Sequence, residues 1–467
     1  MMKTPTHWIK KLQKSDKPAY LLLADLIADD IRTGRLGNRD RLPTLRELAD
    51  ELNLNYTTVA RGYSEARKRG LIDSHAGMGT YVRGVSPGLR LRGGSAAEMT
   101  MNLPPEPADP ELLAHMHDTA AGLLASADLY ALLRYQDFGG SAQDRELGAQ
   151  WLRPYLPDCK AAQVLVAPGI HSVLLALLSL LARPGELVCV ESLTYPGVKA
   201  IAAQLGIQLH PLPMDEDGPI ADAFEHACKT LHPQALYCNP TLLNPTTGII
   251  SRSRREALAD VALRFSIPII EDDAYGMLPL KPLPSMATLA PGLTYYVSGF
   301  AKCFGAGLRT AYVASPNERL SQRLAGALRA TTVMASPLSN LLTTYWIEDG
   351  TVDRMLQAIR SECGQRHALA DKHLASLGMQ GHPQAFHVWL PVSGAWNAVE
   401  LAAYLRAQGV GALAGAAFST DGDPPEAVRL CLGGPNDVQD CEHGLQLVAD
   451  ALLQSPQTPA LTTMSAG

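Results

Sequence analysis

The stretch Tyr295-Tyr-Val-Ser-Gly-Phe-Ala-Lys302-Cys-Phe-Gly-Ala-Gly-Leu-Arg309 decides how the larger part of this chain is interpreted. Its first residues predict a short buried strand, and the lysine follows that strand among glycines and apolar residues. A lysine held at the mouth of a buried sheet, with an arginine seven residues later, has the surroundings to form an imine with a carbonyl cofactor. Most lysines only solvate a surface, so Lys302 alone carries little weight.

A carboxylate, a phenol and an amide stand where they can reach one aromatic ring. In Ile269-Ile-Glu-Asp272-Asp-Ala-Tyr275, Asp272 can keep a pyridinium nitrogen protonated and Tyr275 can hydrogen-bond a phenolic oxygen. In Cys238-Asn-Pro-Thr-Leu-Leu-Asn244-Pro-Thr-Thr-Gly, Asn244 can donate to the same oxygen. A helix cap is the alternative for Asp272, and an ordinary Asn-Pro turn is the alternative for Asn244.

A phosphate site is predicted in Val164-Leu-Val-Ala-Pro-Gly169-Ile-His-Ser, which runs from a strand through a glycine turn into a helix. The amides of Ile170 and His171 then lie in the first helical turn, where they have no acceptor within the helix. Such amides can cradle a phosphate, although a glycine turn by itself is a weak signal.

The same region alternates short apolar strands with helix-length segments, which predicts a mostly parallel central sheet flanked by helices. The predicted strands are Val164–Ala167, Leu187–Glu191, Ala235–Cys238, Ile267–Asp272 and Tyr295–Ser298.

In this order the motifs resemble the fold-type I aminotransferases, which bind pyridoxal 5′-phosphate, over roughly residues 100–455. The resemblance implies an aminotransferase fold with a smaller C-terminal α+β subdomain. It also implies that Lys302 forms the Schiff base, Asp272 holds the ring nitrogen, Tyr275 and Asn244 hold the ring oxygen, and Arg309 holds the phosphate.

Three further residues take roles from the same resemblance. Tyr195, in Glu-Ser-Leu-Thr-Tyr195-Pro-Gly, matches the aromatic residue that stacks on the ring. Tyr135, in Arg-Tyr135-Gln-Asp-Phe-Gly-Gly, matches a tyrosine that reaches the phosphate of the neighbouring subunit. Arg429, in Val-Arg429-Leu-Cys-Leu-Gly, matches the arginine that clamps a substrate α-carboxylate.

The chain departs from the family pattern around the phosphate. Gly299 stands where a serine or threonine often donates to phosphate, and Ser298 lies one place too early. Ala301 replaces a frequent serine, Ala311 stands where glycine is common, and the Asn-Pro-Thr-Gly loop carries an extra threonine. These departures weaken the expectation for phosphate affinity.

The N-terminal residues predict two helices joined by a tight turn, preceded by another helix. Residues 18–34 show helical apolar spacing, Thr44 with a glutamate three residues later is a capping box, and Asn55 can cap the next helix. Residues 71–73 and 80–82 then predict a two-stranded hairpin. The pattern fits a helix-turn-helix, although a small helical bundle without a partner fits it equally well.

The N-terminal sequence includes Arg41-Leu-Pro-Thr-Leu-Arg-Glu-Leu-Ala-Asp-Glu-Leu, then Arg61-Gly-Tyr, and then Gly77-Met-Gly-Thr-Tyr-Val. With these motifs, residues 18–83 resemble the winged helix-turn-helix of the GntR family. Side chains in the first turn of the recognition helix can reach bases and phosphates, and arginines can bind either. The resemblance places the tip of the wing at Gly77 and Gly79. The candidate DNA contacts are Arg46, Asn55, Tyr56, Thr57, Thr58, Arg61, Gly77 and Gly79.

Charge is distributed unevenly along the chain. Residues 1–84 carry 15 Lys and Arg against 10 Asp and Glu, whereas the remainder carries 25 against 36. A basic end on an acidic protein points weakly to a polyanion partner. With 46% hydrophobic and 18% charged residues, the composition excludes a disordered or collagen-like chain.

Targeting and metal signals are not recognised in the sequence. The longest apolar run, Val173 to Ala182, is shorter than the ~18 residues of a membrane span, and no secretory signal is recognised. We therefore expect a cytoplasmic protein without membrane contact. The eight cysteines form no Cys-x-x-Cys pair, so buried reduced thiols are expected rather than a metal site.

The predicted domains are a winged helix-turn-helix over 1–84, a Gly- and Pro-rich linker over 85–106, an aminotransferase-like domain over 107–455 and a loose tail over 456–467. This combination resembles the MocR subfamily of bacterial GntR-type regulators. The resemblance implies a head-to-tail homodimer that uses pyridoxal phosphate and a small amino-compound effector to bias its binding to operator DNA.

The sequence is compatible with three functions. The first is a transcription regulator with residual transaminase activity at most, which the basic head favours because a metabolic transaminase has no physical need of a helix-turn-helix. The second is an aminotransferase with an accessory DNA-binding head. The third is a cofactor-free dimer that only positions the heads, which Gly299 and Ala301 leave open.

Overall fold

The computed structural model describes residues 8, 12, 17–32, 35–36, 40–75, 79–82 and 97–453 of the chain, without the side chains of 73–75 and 79. The chain divides into two compact units, Met1–Gly94 and Ser95–Gly467.

The first unit is built from three described helices and a small antiparallel sheet. The helices are α1 (Ala19–Arg32), α2 (Leu45–Leu52) and α3 (Tyr56–Lys68). The strands are β1 (Arg41–Leu42), β2 (Ile72–His75) and β3 (Gly79–Val82), in the order β1-β3-β2. The predicted hairpin is therefore confirmed, with β1 as an additional strand; Gly77 lies outside the described residues.

The helices of the first unit are fixed by caps and by close packing. Thr44 and Glu47 form the predicted capping box, with the Thr44 amide 2.8 Å from a carboxylate oxygen of Glu47. Asn55 occupies the N-cap position of α3, but its side chain makes no cap hydrogen bond, so the predicted capping role is wrong. Gly62 lets α3 approach α1 closely, because a Cβ at this position would lie 2.7 Å from Leu23 Cδ2.

The second unit contains a seven-stranded sheet in the order β4-β12-β11-β10-β9-β5-β6, in which β12 alone is antiparallel to its neighbours. Its strands are β4 (Val164–Ala167), β5 (Leu187–Glu191), β6 (Gln208–Leu212), β9 (Ala235–Cys238), β10 (Ile269–Asp272), β11 (Thr294–Gly299) and β12 (Ala311–Ala314). All five predicted strands are present, and β6 and β12 complete the sheet. Between β6 and β9, β7 (Met214–Asp215) and β8 (Gly218–Pro219) form a separate two-stranded pair.

Helices cover both faces of this sheet and continue into a smaller α+β part. They are α4 (Pro110–Ser126), α5 (Leu129–Leu132), α6 (Ala142–Leu152), α7 (Ile170–Leu181), α8 (Pro196–Leu205), α9 (Ala221–Thr230), α10 (Arg252–Phe265), α11 (Met286–Leu289), α12 (Glu318–Thr331), α13 (Pro337–Glu348), α14 (Thr351–Leu374), α15 (Ala398–Ala407) and α16 (Val438–Leu453). The smaller part holds the antiparallel sheet β13-β14-β16-β15, formed by β13 (Gln380–Gly381), β14 (His387–Pro391), β15 (Leu413–Ala414) and β16 (Ala427–Cys431).

The end of the predicted linker is part of the second unit. Ala97 and Met99 are buried in the apolar core that also holds residues of β14, β16 and α16. Burial of this apolar surface fixes the segment, so the boundary at 106 is too late. The predicted loose tail, 456–467, lies outside the described residues.

Two sequence expectations concern the chain as a whole. All eight cysteines are unpaired, and seven of them are buried, as predicted. Among the described residues, no helix is long and apolar enough to cross a membrane.

Candidate functional site

The parallel strands bring the predicted cofactor residues to one edge of the large sheet. Strands β4, β10 and β11 are parallel to one another and end just before Gly169, at Asp272 and just before Lys302. Carboxyl ends of parallel strands form the usual ligand crevice of open α/β sheets. The motifs that are separated in sequence therefore converge, as the sequence predicts.

Lys302 lies on a single π-helical turn, Ala301–Gly305, directly after β11. Its Nζ atom donates to the carbonyl oxygen of Asn102 at 2.5 Å and lies 5.8 Å from the centre of the Tyr275 ring. Burial disfavours the ammonium form and lowers the pKa of Lys302 to about 8. About a tenth of the side chain is thus an uncharged amine at pH 7, and this form is the nucleophile.

Asp272 is buried at the end of β10 with one of its oxygens held in place. The Tyr237 hydroxyl donates to Oδ2 at 2.8 Å, and the Asn239 amide donates to the backbone carbonyl at 2.6 Å. Oδ1 has no hydrogen-bond partner among the described residues. Burial raises the pKa of Asp272 to about 6, so the site favours a cationic N–H donor opposite Oδ1.

The strand, glycine turn and helix start predicted around Gly169 are present. Gly169 has φ 91° and precedes α7, so the amides of Ile170 and His171 open the helix. A Cβ on Gly169 would lie 2.9 Å from Nη2 of Arg309, so the missing side chain allows the guanidinium to cover the helix start. A cation and helix amides at one point are able to bind an anion.

The serine near this helix start does not replace the missing family residue. Ser298 is buried on β11, where strand alternation places it on the same face as Tyr296. Position 299 points the other way, because a Cβ there would lie 3.0 Å from Ile170 Cγ1. The donor that Gly299 lacks is therefore not supplied by Ser298.

Two residues that the sequence did not indicate complete the polar side of the site. The Asn102 amide donates to the Tyr275 hydroxyl at 2.8 Å and lies 3.5 Å from Nδ1 of His387. His387 Nε2 lies 3.3 Å from the carbonyl oxygen of Leu243, to which its proton points. Burial lowers the pKa of His387 to about 3, so the ring is neutral. Asn102 falls in the predicted linker, and a lone histidine on β14 gives no signal in sequence.

Arg429 lies on β16 with its guanidinium buried in the site. Nη1 donates to Asn244 Oδ1 at 3.1 Å and Nη2 donates to the carbonyl oxygen of Thr100. Nε has no partner among the described residues. Two other buried arginines, Arg255 and Arg366, direct their Nε and Nη1 atoms at protein acceptors. Arg429 thus retains an unused Nε donor for an anion. The side-chain oxygen of Asn244 already accepts a hydrogen bond from Arg429.

The two tyrosines assigned by resemblance differ in their surroundings. Burial and the nearby carboxylate of Asp272 raise the pKa of Tyr195, which lies at the start of α8 among the other site residues. Tyr135 lies beyond α5 with 80% of its surface exposed, next to the exposed Leu133. Within this chain the Tyr135 ring lies 6.5 Å from the Phe138 ring.

The first unit exposes most of the residues assigned to DNA contact. Arg46, Asn55, Tyr56 and Thr57 are exposed, Thr58 is half-buried, and Gly79 begins β3. Arg61 is exposed, but its guanidinium lies 4.1 Å from the centre of the Tyr20 ring, a cation–π contact within the unit.

A comparison with protein families matches residues 112–446 to the aminotransferase class I and II family. The chain belongs to this family. Residues 19–82 match the gntR family of bacterial regulatory proteins, so this aminotransferase-family chain carries a GntR-type helix-turn-helix, as the sequence predicts. Proteins of that family are DNA-binding regulators, and the aminotransferase fold implies pyridoxal phosphate dependence.

Relatives share this two-part organisation. The chain is 28% identical over 450 residues to the uncharacterized HTH-type transcriptional regulator YdeF of Bacillus subtilis, covering 95% of this chain and 96% of the relative. It is 25% identical to the probable rhizopine catabolism regulatory protein MocR of Rhizobium meliloti, covering 77% and 79%. The solved structure of LysN, an alpha-aminoadipate aminotransferase from Thermus thermophilus, matches with TM-score 0.69 and 23% identity over 84% of this chain and 98% of that one, which shows the fold alone.

Proposed function

We propose that this protein is a transcriptional regulator that binds DNA through its first unit and a small amino compound through a pyridoxal phosphate site in its second. One observation carries the proposal: a GntR-type helix-turn-helix is joined in one chain to an aminotransferase site with unused hydrogen-bonding capacity at Asp272 Oδ1 and Arg429 Nε. DNA affinity, measured with and without pyridoxal phosphate and each standard L-amino acid, tests it. A regulator changes its affinity with at least one combination.

The residues of the site fit the cofactor group by group. Arg309 and the amides after Gly169 would hold the phosphate, Asp272 Oδ1 the ring nitrogen and Tyr275 the ring oxygen, with Tyr195 against the ring. Pyridoxal phosphate supplies an aldehyde that joins amines covalently and a ring that withdraws electrons. Lys302 supplies the amine, and its lowered pKa keeps it reactive.

A carboxylate on the amino compound is supported by Arg429. This guanidinium is almost fully buried and has no acidic partner among the described residues. A buried cation without an anion is costly, so a carboxylate binds there with a charge-assisted hydrogen bond. The amino compound is therefore of the amino-acid class.

An aminotransferase with an accessory head is the alternative, and the complete set of Lys302, Asp272 and Arg429 supports it. Covalent capture of an amine needs all three, whether or not turnover follows. Steady-state production of a 2-oxo acid would favour the enzyme, whereas capture without turnover favours the regulator.

We infer that the protein acts as a homodimer in the cytoplasm, where the chromosome lies. Exposed apolar residues near Tyr135 support a second copy at this face, because Leu129, Tyr130 and Leu133 are 56%, 69% and 81% exposed. Several large apolar side chains exposed within one short segment are consistent with an interface. The exposure of Tyr135, at 80% of its surface, is also consistent with a role in a neighbouring subunit.

Arg46→Ala and Arg61→Ala are expected to weaken DNA binding without changing the visible spectrum of the cofactor, because both lie in the separate first unit. A lost phosphate contact reduces the salt slope of binding by about one unit, whereas a lost base contact costs about 1–3 kcal/mol at one base position. Gel-shift titrations at several salt concentrations distinguish the two.

Arg69→Ala is the matched control for these variants. Arg69 is a partly exposed arginine of the same unit, but ion pairs at 2.7 Å to Asp25 and 2.9 Å to Glu65 neutralise its charge. We expect its salt slope to equal that of the wild type. If Arg46→Ala and Arg61→Ala behave like Arg69→Ala at every salt concentration, the DNA-binding surface is assigned incorrectly.

The rate at which added pyridoxal phosphate forms its visible band should depend on pH through Lys302. Below its pKa of about 8 the side chain is an ammonium, so the rate rises about tenfold per pH unit and then levels off. An ordinary lysine with a pKa of about 10.4 would keep gaining rate beyond pH 9. Stopped-flow absorbance from pH 6 to 10 measures the profile, and a rise that continues to pH 10 contradicts the lowered pKa.

A further inference from the structure

Residues 97–105, here named the strap, lie across the cofactor site and contact two of its cationic side chains, Arg429 and Lys302. The carbonyl oxygen of Thr100 accepts from Arg429, and the carbonyl oxygen of Asn102 accepts from Lys302. The Asn102 side chain also donates to Tyr275. Two backbone carbonyls of one short segment, two residues apart, therefore contact the groups that would bind a carboxylate and a carbonyl carbon.

The strap is seated on the smaller part of the second unit by backbone contacts. The Cys431 amide donates to the carbonyl oxygen of Met99 at 2.9 Å, and the Leu103 amide donates to Cys431 Sγ at 3.3 Å. Gly411 is needed for close approach, because a Cβ there would collide with the Glu98 carboxylate and lie 2.6 Å from the Thr100 nitrogen. Cys431 lies two residues from Arg429 on β16, so the seat and the binding group share one strand.

The strap also stands at the point where the chain enters the second unit. Fourteen residues, 83–96, separate its first residue from Val82, the last residue of β3 in the DNA-binding unit. A movement of the strap therefore changes the position at which this connecting segment is anchored.

We propose that the strap is an internal competitor that a carboxylate-bearing ligand displaces. The proposal rests on the proposed function and names its regulation. A carboxylate is a stronger acceptor for a guanidinium than a peptide carbonyl, so it takes Arg429 from Thr100. An amino compound without a carboxylate leaves that contact intact, so the strap selects for amino acids over simple amines. Displacement moves the anchor of the connecting segment, and the differential affinity of the ligand for the two strap positions sets how far DNA binding shifts.

Two cofactor adducts that differ only in the carboxylate test the displacement in the wild-type chain. They are N-(5′-phosphopyridoxyl)-L-leucine and its decarboxylated counterpart, N-(5′-phosphopyridoxyl)-3-methylbutylamine. Hydrogen exchange read on the Thr100 and Leu103 amides should be faster with the leucine adduct than with the amine adduct. Equal or slower exchange with the leucine adduct overturns the proposal.

Gly411→Ala tests the competition from the protein side, because its methyl group displaces the strap near Thr100 without removing a binding group. We expect it to bind the leucine adduct about 3- to 10-fold more tightly while its affinity for the amine adduct changes less than twofold. Gly326→Ala is the matched control, since a Cβ there meets no atom within 4 Å. Weaker binding of the leucine adduct by Gly411→Ala would show that the strap supports the ligand and would overturn the competitor role.

DNA affinity measured in parallel distinguishes displacement of the strap from regulation of DNA binding. Faster strap exchange with unchanged DNA affinity retains the displacement and overturns the proposed regulation. A DNA affinity that responds to the leucine adduct while strap exchange stays constant retains the regulator and overturns the strap. Under the full proposal, Gly411→Ala without ligand has the DNA affinity of the ligand-bound wild type.

Discussion

Lys302→Ala is expected to abolish the visible absorption band that the wild-type protein develops with pyridoxal phosphate, and to release the cofactor on gel filtration. The reason is chemical: the Nζ atom is the amine that lies against Tyr275 and the Asn102 carbonyl oxygen, within the electrostatic influence of Asp272. Phosphate and ring contacts remain in the variant, so weak non-covalent binding should persist. Absorbance spectra before and after gel filtration measure both effects.

Lys199→Ala is the matched control for this loss. Lys199 is also half-buried with a lowered pKa, but its Nζ donates to the carbonyl oxygens of Ala417 and Ser419, away from the cofactor residues. Its variant should keep the band. If Lys302→Ala retains the wild-type spectrum, or if the wild type develops no band with added cofactor, the site is not a pyridoxal phosphate site and the cofactor-free dimer becomes the better model.

The convergence of this site was predictable because parallel strands end at one edge. Lys302 and Gly169 each follow a short apolar strand and Asp272 ends one, so their proximity follows from sheet topology alone. Arg429 was found by resemblance, and its unused Nε supports an anion-binding role. A local sequence pattern is therefore sufficient to place a functional side chain that lies at the end of a strand or directly after it.

The residues that sequence reasoning missed are brought into the site by long-range packing. Asn102 lies 173 positions from Tyr275, to which it donates, in a segment whose Gly, Pro and Ser content predicts a linker. Its position depends on the burial of Met99 in the smaller core, which no local period reveals. The same limit applies to Arg61, whose stacking on Tyr20 joins α3 to α1. Such contacts depend on tertiary structure, which single-sequence periodicity does not encode.

Arg429→Ala is expected to lower the affinity for N-(5′-phosphopyridoxyl)-L-leucine about 10- to 100-fold, the effect of losing a charge-assisted hydrogen bond of about 1.5–3 kcal/mol. The affinity for the adduct of 3-methylbutylamine should change much less, because that adduct has no carboxylate. The visible band should be retained, because Lys302 still supplies the amine. Amino acids should no longer alter DNA affinity.

A structural role for Arg429 predicts a different result, because the arginine also donates to Asn244 and Thr100. Its removal leaves two buried acceptors without a donor and should lower the free energy of unfolding by about 1–3 kcal/mol in either case. Arg366→Lys, a change at another buried arginine that donates to carbonyl oxygens, controls for this loss and should leave both adduct affinities equal to the wild type. A carboxylate-binding arginine changes the ratio of the two affinities, whereas a structural one changes both together. An unchanged ratio in Arg429→Ala would therefore show that the effector is an amine without a carboxylate, or that the guanidinium serves only the fold.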